Sequence, residues 1–98
     1  MFTQVWRLSG LTGSEPGHLE FRGGRLIYKP TDDSMPGFDV TVSQVSDIKF
    51  PWLYLGGGFK LRINGEQYRF SFVEPHNDSA DIAAGRSAGK EWKKILLG

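Results

Sequence analysis

Gly58-Phe59-Lys60-Leu61-Arg62-Ile63-Asn64-Gly65-Glu66-Gln67-Tyr68-Arg69-Phe70 decides how this chain folds. Asn-Gly is the strongest short hairpin signal, because both residues tolerate the positive φ of a tight two-residue turn. Counting outward from Asn64-Gly65, Leu61 opposes Tyr68 and Phe59 opposes Phe70 on one apolar face. The reverse face pairs Lys60 with Arg69 and Arg62 with Gln67. Such alternation has the period of half-buried antiparallel strands, not of a helix.

A second hairpin precedes it. Residues 18–22 and 25–29 flank Gly23-Gly24, which sets Phe21 against Leu26 and Leu19 against Tyr28. Its other face carries His18, Glu20 and Arg22 against Arg25, Ile27 and Lys29. Residues 2–8 alternate as a first strand, with Phe2, Gln4, Trp6 and Leu8 on one side and Thr3, Val5 and Arg7 on the other. Residues 10–17 read as a loop. Phe38, Val40 and Val42 form a further strand, a turn is expected near residues 43–46, and a fifth strand near 47–54. Pro51 within that span implies an edge or a bulge.

Helix is expected only at the end. Asp78 or Ser79 is suited to N-cap it. Ala84, Ala88, Trp92 and Ile95, with Leu96 beside them, follow a helical stripe. Lys90, Lys93 and Lys94 crowd the last turns, where cations suit the helix dipole. Gly85 and Gly89 each cost a helix about 1 kcal/mol against alanine. Their shared face implies close approach to the rest of the fold.

The expectation is therefore a mainly β protein with one C-terminal α-helix, a seven-stranded antiparallel barrel or orthogonal sandwich capped by that helix. The 98 residues suffice for a single domain spanning 1–98. Thirteen glycines and five prolines fit many short strands joined by turns. A net charge of +1 gives no global attraction to nucleic acid, so none is expected as a partner. Without cysteine there are no disulfides or thiolate metal sites, which suits a reducing cytoplasm. The start, Met1-Phe2-Thr3-Gln4-Val5-Trp6, lacks the basic region and apolar core of a secretory signal.

The run of strands and the terminal helix resemble the pleckstrin-homology superfamily, and GRAM-type domains with their small bacterial relatives in particular. The resemblance lies in Gly17-His18-Leu19-Glu20-Phe21 with Gly24-Arg25-Leu26-Ile27-Tyr28, and in Phe38-Asp39-Val40-Thr41-Val42 leading into Val45–Phe50. It continues through Gly58–Gly65 and Tyr68–Phe72, while Trp92 is similar to the tryptophan with which such helices cap one barrel end. It implies a binding module, for phosphoinositides, peptides or proteins. Phosphoinositide-binding members carry lysines and arginines after their first strand. Here residues 10–17 have none and include Glu15, so headgroup binding is not carried over to that loop.

Catalytic signals are weak. His76-Asn77-Asp78-Ser79 contains triad residue types, but neighbours in one loop rarely converge on a substrate, and a polar turn before the helix accounts for them. Gly85-Arg86-Ser87-Ala88-Gly89-Lys90-Glu91 falls short of a phosphate loop in glycine spacing and in the residue after lysine. Asn77-Asp78-Ser79 matches a glycosylation sequon that a cytoplasmic protein would not use. No enzyme, cofactor or metal site is expected.

Pro51-Trp52-Leu53-Tyr54-Leu55-Gly56-Gly57-Gly58 is the most unusual stretch. Trp52, Leu53, Tyr54 and Leu55 form either an exposed contact loop or a strand covered on both faces. With Lys60, Arg62 and Arg69 from the second hairpin they make up the candidate binding residues. The partner would be a protein or an anionic membrane surface. The alternative is a small structural protein that self-associates as a homodimer.

Overall fold

The structure is a computed structural model describing residues 1–98, the side chain of Leu53 excepted. Seven strands come before the helix: β1 (Phe2–Ser9), β2 (Gly13–Arg22), β3 (Arg25–Pro30), β4 (Phe38–Thr41), β5 (Val45–Lys49), β6 (Gly58–Ile63) and β7 (Glu66–Ser71). They form one antiparallel sheet in the order β4-β3-β2-β1-β7-β6-β5. α1 (Ile82–Leu97) follows.

Both hairpins take the expected register, Phe21 against Leu26 and Leu61 against Tyr68 among the rest. Their turns require left-handed backbone, with φ of 59° and 76° at Gly23 and Gly24 and 52° and 81° at Asn64 and Gly65. The two positive angles match the right-handed twist of the strands they join.

The expected seven antiparallel strands and single C-terminal helix are present, and the sheet is not closed into a barrel. β4 and β5 are its two edges, joined by a single 3₁₀ turn at Val42–Gln44 and not by a ladder. The sheet instead curls over on itself. Phe38 of β4 lies 5.1 Å from the ring of Tyr68 on β7, and Tyr28 of β3 lies 5.2 Å from Phe70, although neither pair sits on neighbouring strands. Val5, Leu19, Leu26, Tyr28, Phe59, Leu61, Phe70 and Trp92 fill the space between.

Several boundaries differ from expectation. Residues 13–17 belong to β2, whose residues 13–20 pair with the whole of β1, so the loop shrinks to residues 10–12. The fifth strand stops at Lys49, and Trp52–Tyr54 is a 3₁₀ turn that Pro51 precedes at φ −61°. The bulge lies earlier, between Ser46 and Lys49, where Asp47 takes φ 51°. Within β1 the less apolar side faces inward. Val5 is buried there, whereas Phe2 stands outside, stacked 4.6 Å from His18.

The helix starts later than Asp78 or Ser79. Asn77 instead forms a turn, its Oδ1 accepting from the Ser79 N–H at 2.9 Å and its Nδ2 donating to Glu74 at 2.8 Å. Asp81 is the cap, accepting from the Ala84 N–H at 2.9 Å. Gly85, Gly89 and Trp92 are buried, Ala88 and Leu96 half-buried, and Ala84 exposed. The glycines do bring the helix close. A Cβ at Gly89 would overlap the Gly56 carbonyl oxygen, and one at Gly85 would overlap the Val73 side chain. Trp92 then enters the end of the core, where its Nε1 donates to Thr3 Oγ1 at 3.0 Å.

Polar side chains rim the inner face near the Arg7 end of β1. Arg7 lies 4.5 Å over the Tyr68 ring and 3.5 Å from Glu66, to which the Tyr68 hydroxyl donates at 3.1 Å. The Tyr28 hydroxyl donates to Glu15 at 2.8 Å. Burial, and then that bond to a carboxylate, raise the Tyr28 pKa well above the ordinary tyrosine value. Burial also raises Tyr68, with the bond to Glu66 adding to it.

Gly89→Ala should lower stability by about 1–3 kcal/mol in urea titration, because overpacking against backbone outweighs the gain in helix propensity. A more stable variant would mean that α1 does not press on Gly56. Tyr28 holds its proton more tightly folded than unfolded. Its contribution is intact below the unfolded value near pH 10 and is lost as pH rises beyond that toward the folded value. Tyr28→Phe should cost about 1–3 kcal/mol at neutral pH by unpartnering Glu15, yet show a shallower decline above about pH 10 in pH-dependent denaturation.

Candidate functional site

The turn after β5 protrudes because its backbone satisfies itself. The Tyr54 N–H bonds the Pro51 carbonyl at 3.0 Å, the Leu55 N–H bonds Trp52 at 2.9 Å, and the Gly57 N–H bonds Tyr54 at 2.8 Å. Leu55 takes left-handed φ of 52°. That conformation is rarely favoured by a leucine. Trp52 is 80% exposed and Leu55 62%, while Tyr54 is half-buried. Trp52, Tyr54 and Leu55 are thus on a surface turn and not in a covered strand. The Leu53 side chain lies outside the described residues.

Beside the turn is a groove of about 320 Å³ on the outer face of the sheet. Leu8 of β1, Tyr54, Leu55, Val73 and Ile82 give it an apolar lining, and Arg86 of α1 is its one charged contributor. Gly58 and Ser71, opposite each other across β6 and β7, form the floor. A second hollow of about 340 Å³ continues past Leu8, Ser71 and Val73 toward Leu11, Arg69 and His76. The groove lies beside the point where α1 and the turn meet, at Gly89 and Gly56, with both standing above the sheet.

The three basic candidates lie on the same outer face, one step along the strands. Lys60 is directly opposite Arg69, as expected, and Lys49 of β5 is directly opposite Lys60 on its other side. Arg69 donates to the Gly10 carbonyl at 2.8 Å, which ties its guanidinium to the β1–β2 turn. Arg62 differs from the other two. It pairs with Asp47 at 3.4 Å and donates to the Gly65 carbonyl at 3.1 Å, so its charge is already compensated. Glu66 turns away from this basic face to Arg7 and Tyr68 on the inner rim.

Sequence reasoning missed Lys49, Leu8, Val73, Ile82 and Arg86. The bulge in β5 hides Lys49, since straight counting across the strand pair fails there. The other four come from three separate segments with no shared local pattern. The two histidines stay apart, His18 stacked on Phe2 and His76 at the turn before α1 with φ 59°. Among the described residues no three His, Asp or Glu side chains gather in a metal-binding group. No helix is long and apolar enough to cross a membrane.

Trp52→Phe should remove the larger part of the acrylamide-quenchable tryptophan emission, since Trp92 is fully buried and Trp6 half-buried. Its cost in stability should stay within about 0.5 kcal/mol. Quenching that persists undiminished in the variant would place the exposed indole elsewhere.

No protein-family model matches the chain, and comparison with curated proteins finds none similar to it.

Proposed function

We propose that this protein is a non-catalytic binding module that holds a partner protein against the groove between β1, β7, the Trp52–Tyr54 turn and the start of α1. The observation that carries this reading is the pairing of two strongly exposed apolar residues, Trp52 and Leu55, with a concave apolar groove at their base. Exposed aromatic and aliphatic side chains around a pocket are the usual anchors of protein interfaces, and Trp, Tyr and Arg supply most of their energy. A bilayer surface would cover a protruding tip but would leave a concave groove unfilled. Protein side chains can fill both. A net charge of +1 also gives little long-range pull toward an anionic membrane.

Membership of the pleckstrin-homology/GRAM group and a cytoplasmic setting belong to this proposal. The strand order, the closing helix with Trp92 and the lack of cysteine support them. Self-association through sheet edges is the weaker reading. β4 is only four residues long, and β5 is bulged with a left-handed Asp47, both of which hinder strand addition.

A photoreactive phenylalanine analogue in place of Trp52, irradiated in cells, tests the proposal. A discrete protein adduct is expected, lost when Leu55→Ser and Ile82→Ser are introduced together. Adducts confined to lipid, or to a second copy of the chain, would overturn it.

A further inference from the structure

We infer that the partner segment is acidic as well as apolar, with carboxylates that sit on the Lys49–Lys60–Arg69 row while its apolar side chains fill the adjoining groove. This rests on the groove being a protein-binding surface, as proposed above.

The row is an unusual piece of sheet. Lys49, Lys60 and Arg69 are direct neighbours across β5, β6 and β7, and Leu8 of β1 is next in line. Opposed side chains in such pairs start about 4.5–5.5 Å apart at Cβ, and like charges at that spacing destabilise the sheet. A merely solvated face has easy relief, through a carboxylate at one of the positions. None is supplied here. Among the described residues the ion pairs join Arg7 to Glu66, Arg22 to Glu20, Arg25 to Asp39 and Arg62 to Asp47, and none uses the row. Glu66 is the nearest acidic residue in sequence to Arg69, and it is committed to the opposite face of the sheet.

The second observation is continuity. Leu8 belongs both to the row and to the groove lining, and Gly58 and Ser71 on the groove floor lie two residues along β6 and β7 from Lys60 and Arg69. The groove carries no carboxylate, and its one charged residue, Arg86, is again a cation. Two carboxylates lie nearby, Asp47, which is paired to Arg62, and Glu74 in the hollow beyond Leu8, and neither pairs with the row. An apolar channel beside such a row of cations complements a segment that presents apolar side chains on one side and Asp or Glu beside them. A basic or neutral apolar segment would leave the row facing it without compensation.

Selection of short random peptides displayed on phage, with the intact chain as bait, tests this. Recovered peptides should be enriched in Asp and Glu next to Leu, Ile, Phe or Trp. A synthetic peptide of that sequence should shift the amide signals of Leu8, Leu55, Lys60 and Arg69 in NMR spectra. Its affinity should fall roughly tenfold or more in a Lys60→Glu/Arg69→Glu variant, and should fall with added salt. Lys60→Glu alone should be no less stable than the parent in thermal denaturation, because it sets a carboxylate between Lys49 and Arg69. The double variant should also bind a charge-reversed peptide with Lys in place of Glu.

Peptides that shift the groove but show no acidic bias would overturn the inference and leave the groove reading standing. If no recovered peptide shifts the groove, both fall. Binding to anionic vesicles that needs Lys60 and Arg69, without any groove-binding peptide, would replace the peptide with a membrane and overturn both as well.

Discussion

Trp92 reaches the core only because Gly85 and Gly89 let the helix backbone settle onto Val73 and the Gly56 carbonyl. Both glycines weaken the isolated helix, by about 1 kcal/mol each. The contact they permit buries a full indole at the open end of the sheet, with its one polar atom bonded to Thr3. Large aromatic burial of this kind outweighs the propensity loss. With the helix held there, Gly56 and Gly57 are pinned, and the turn ahead of them has to project outward.

Much of the surface follows from that arrangement. Trp52 and Leu55 are exposed because Pro51 to Gly57 closes its own backbone bonds and leaves no ladder to join. The groove is the gap between this turn and the first turns of α1, floored by strands whose outward residues there are small. Its apolar character and the cation row beside it are the two features that distinguish this face from the solvated, ion-paired face around Arg25 and Asp39. A small domain that buries about two-thirds of its surface has little apolar area to spare. An exposed tryptophan beside an unfilled apolar channel is therefore informative about contact.

The inner rim shows a different use of charge. Arg7, Glu15 and Glu66 bond to or lie over Tyr28 and Tyr68, so the polar atoms at the edge of the core are matched among themselves. Among the described residues no buried side-chain nitrogen or oxygen lacks a partner. Matching of this kind keeps the charges from opposing the burial of the aromatic layer.

The sequence by itself determined everything governed by short-range periodicity. Asn64-Gly65 and Gly23-Gly24 set two hairpins and their registers, and with them the Lys60–Arg69 opposition, because a two-residue turn leaves one way to pair the flanking alternation. It also carried the terminal helix and the close approach at Gly85 and Gly89. Tertiary structure alone decided the rest. The sheet stays open and curls, the helix waits for Asp81 because Asn77 takes the preceding residues into a turn, and Val5 faces inward although Phe2 and Trp6 lie on the more apolar side. Lys49 joins the row only through a bulge, and Leu8, Val73, Ile82 and Arg86 meet Leu55 from segments far apart in the chain. Periodicity fixes which way neighbouring residues point. It does not fix which distant faces meet, since that depends on the packing of the whole chain.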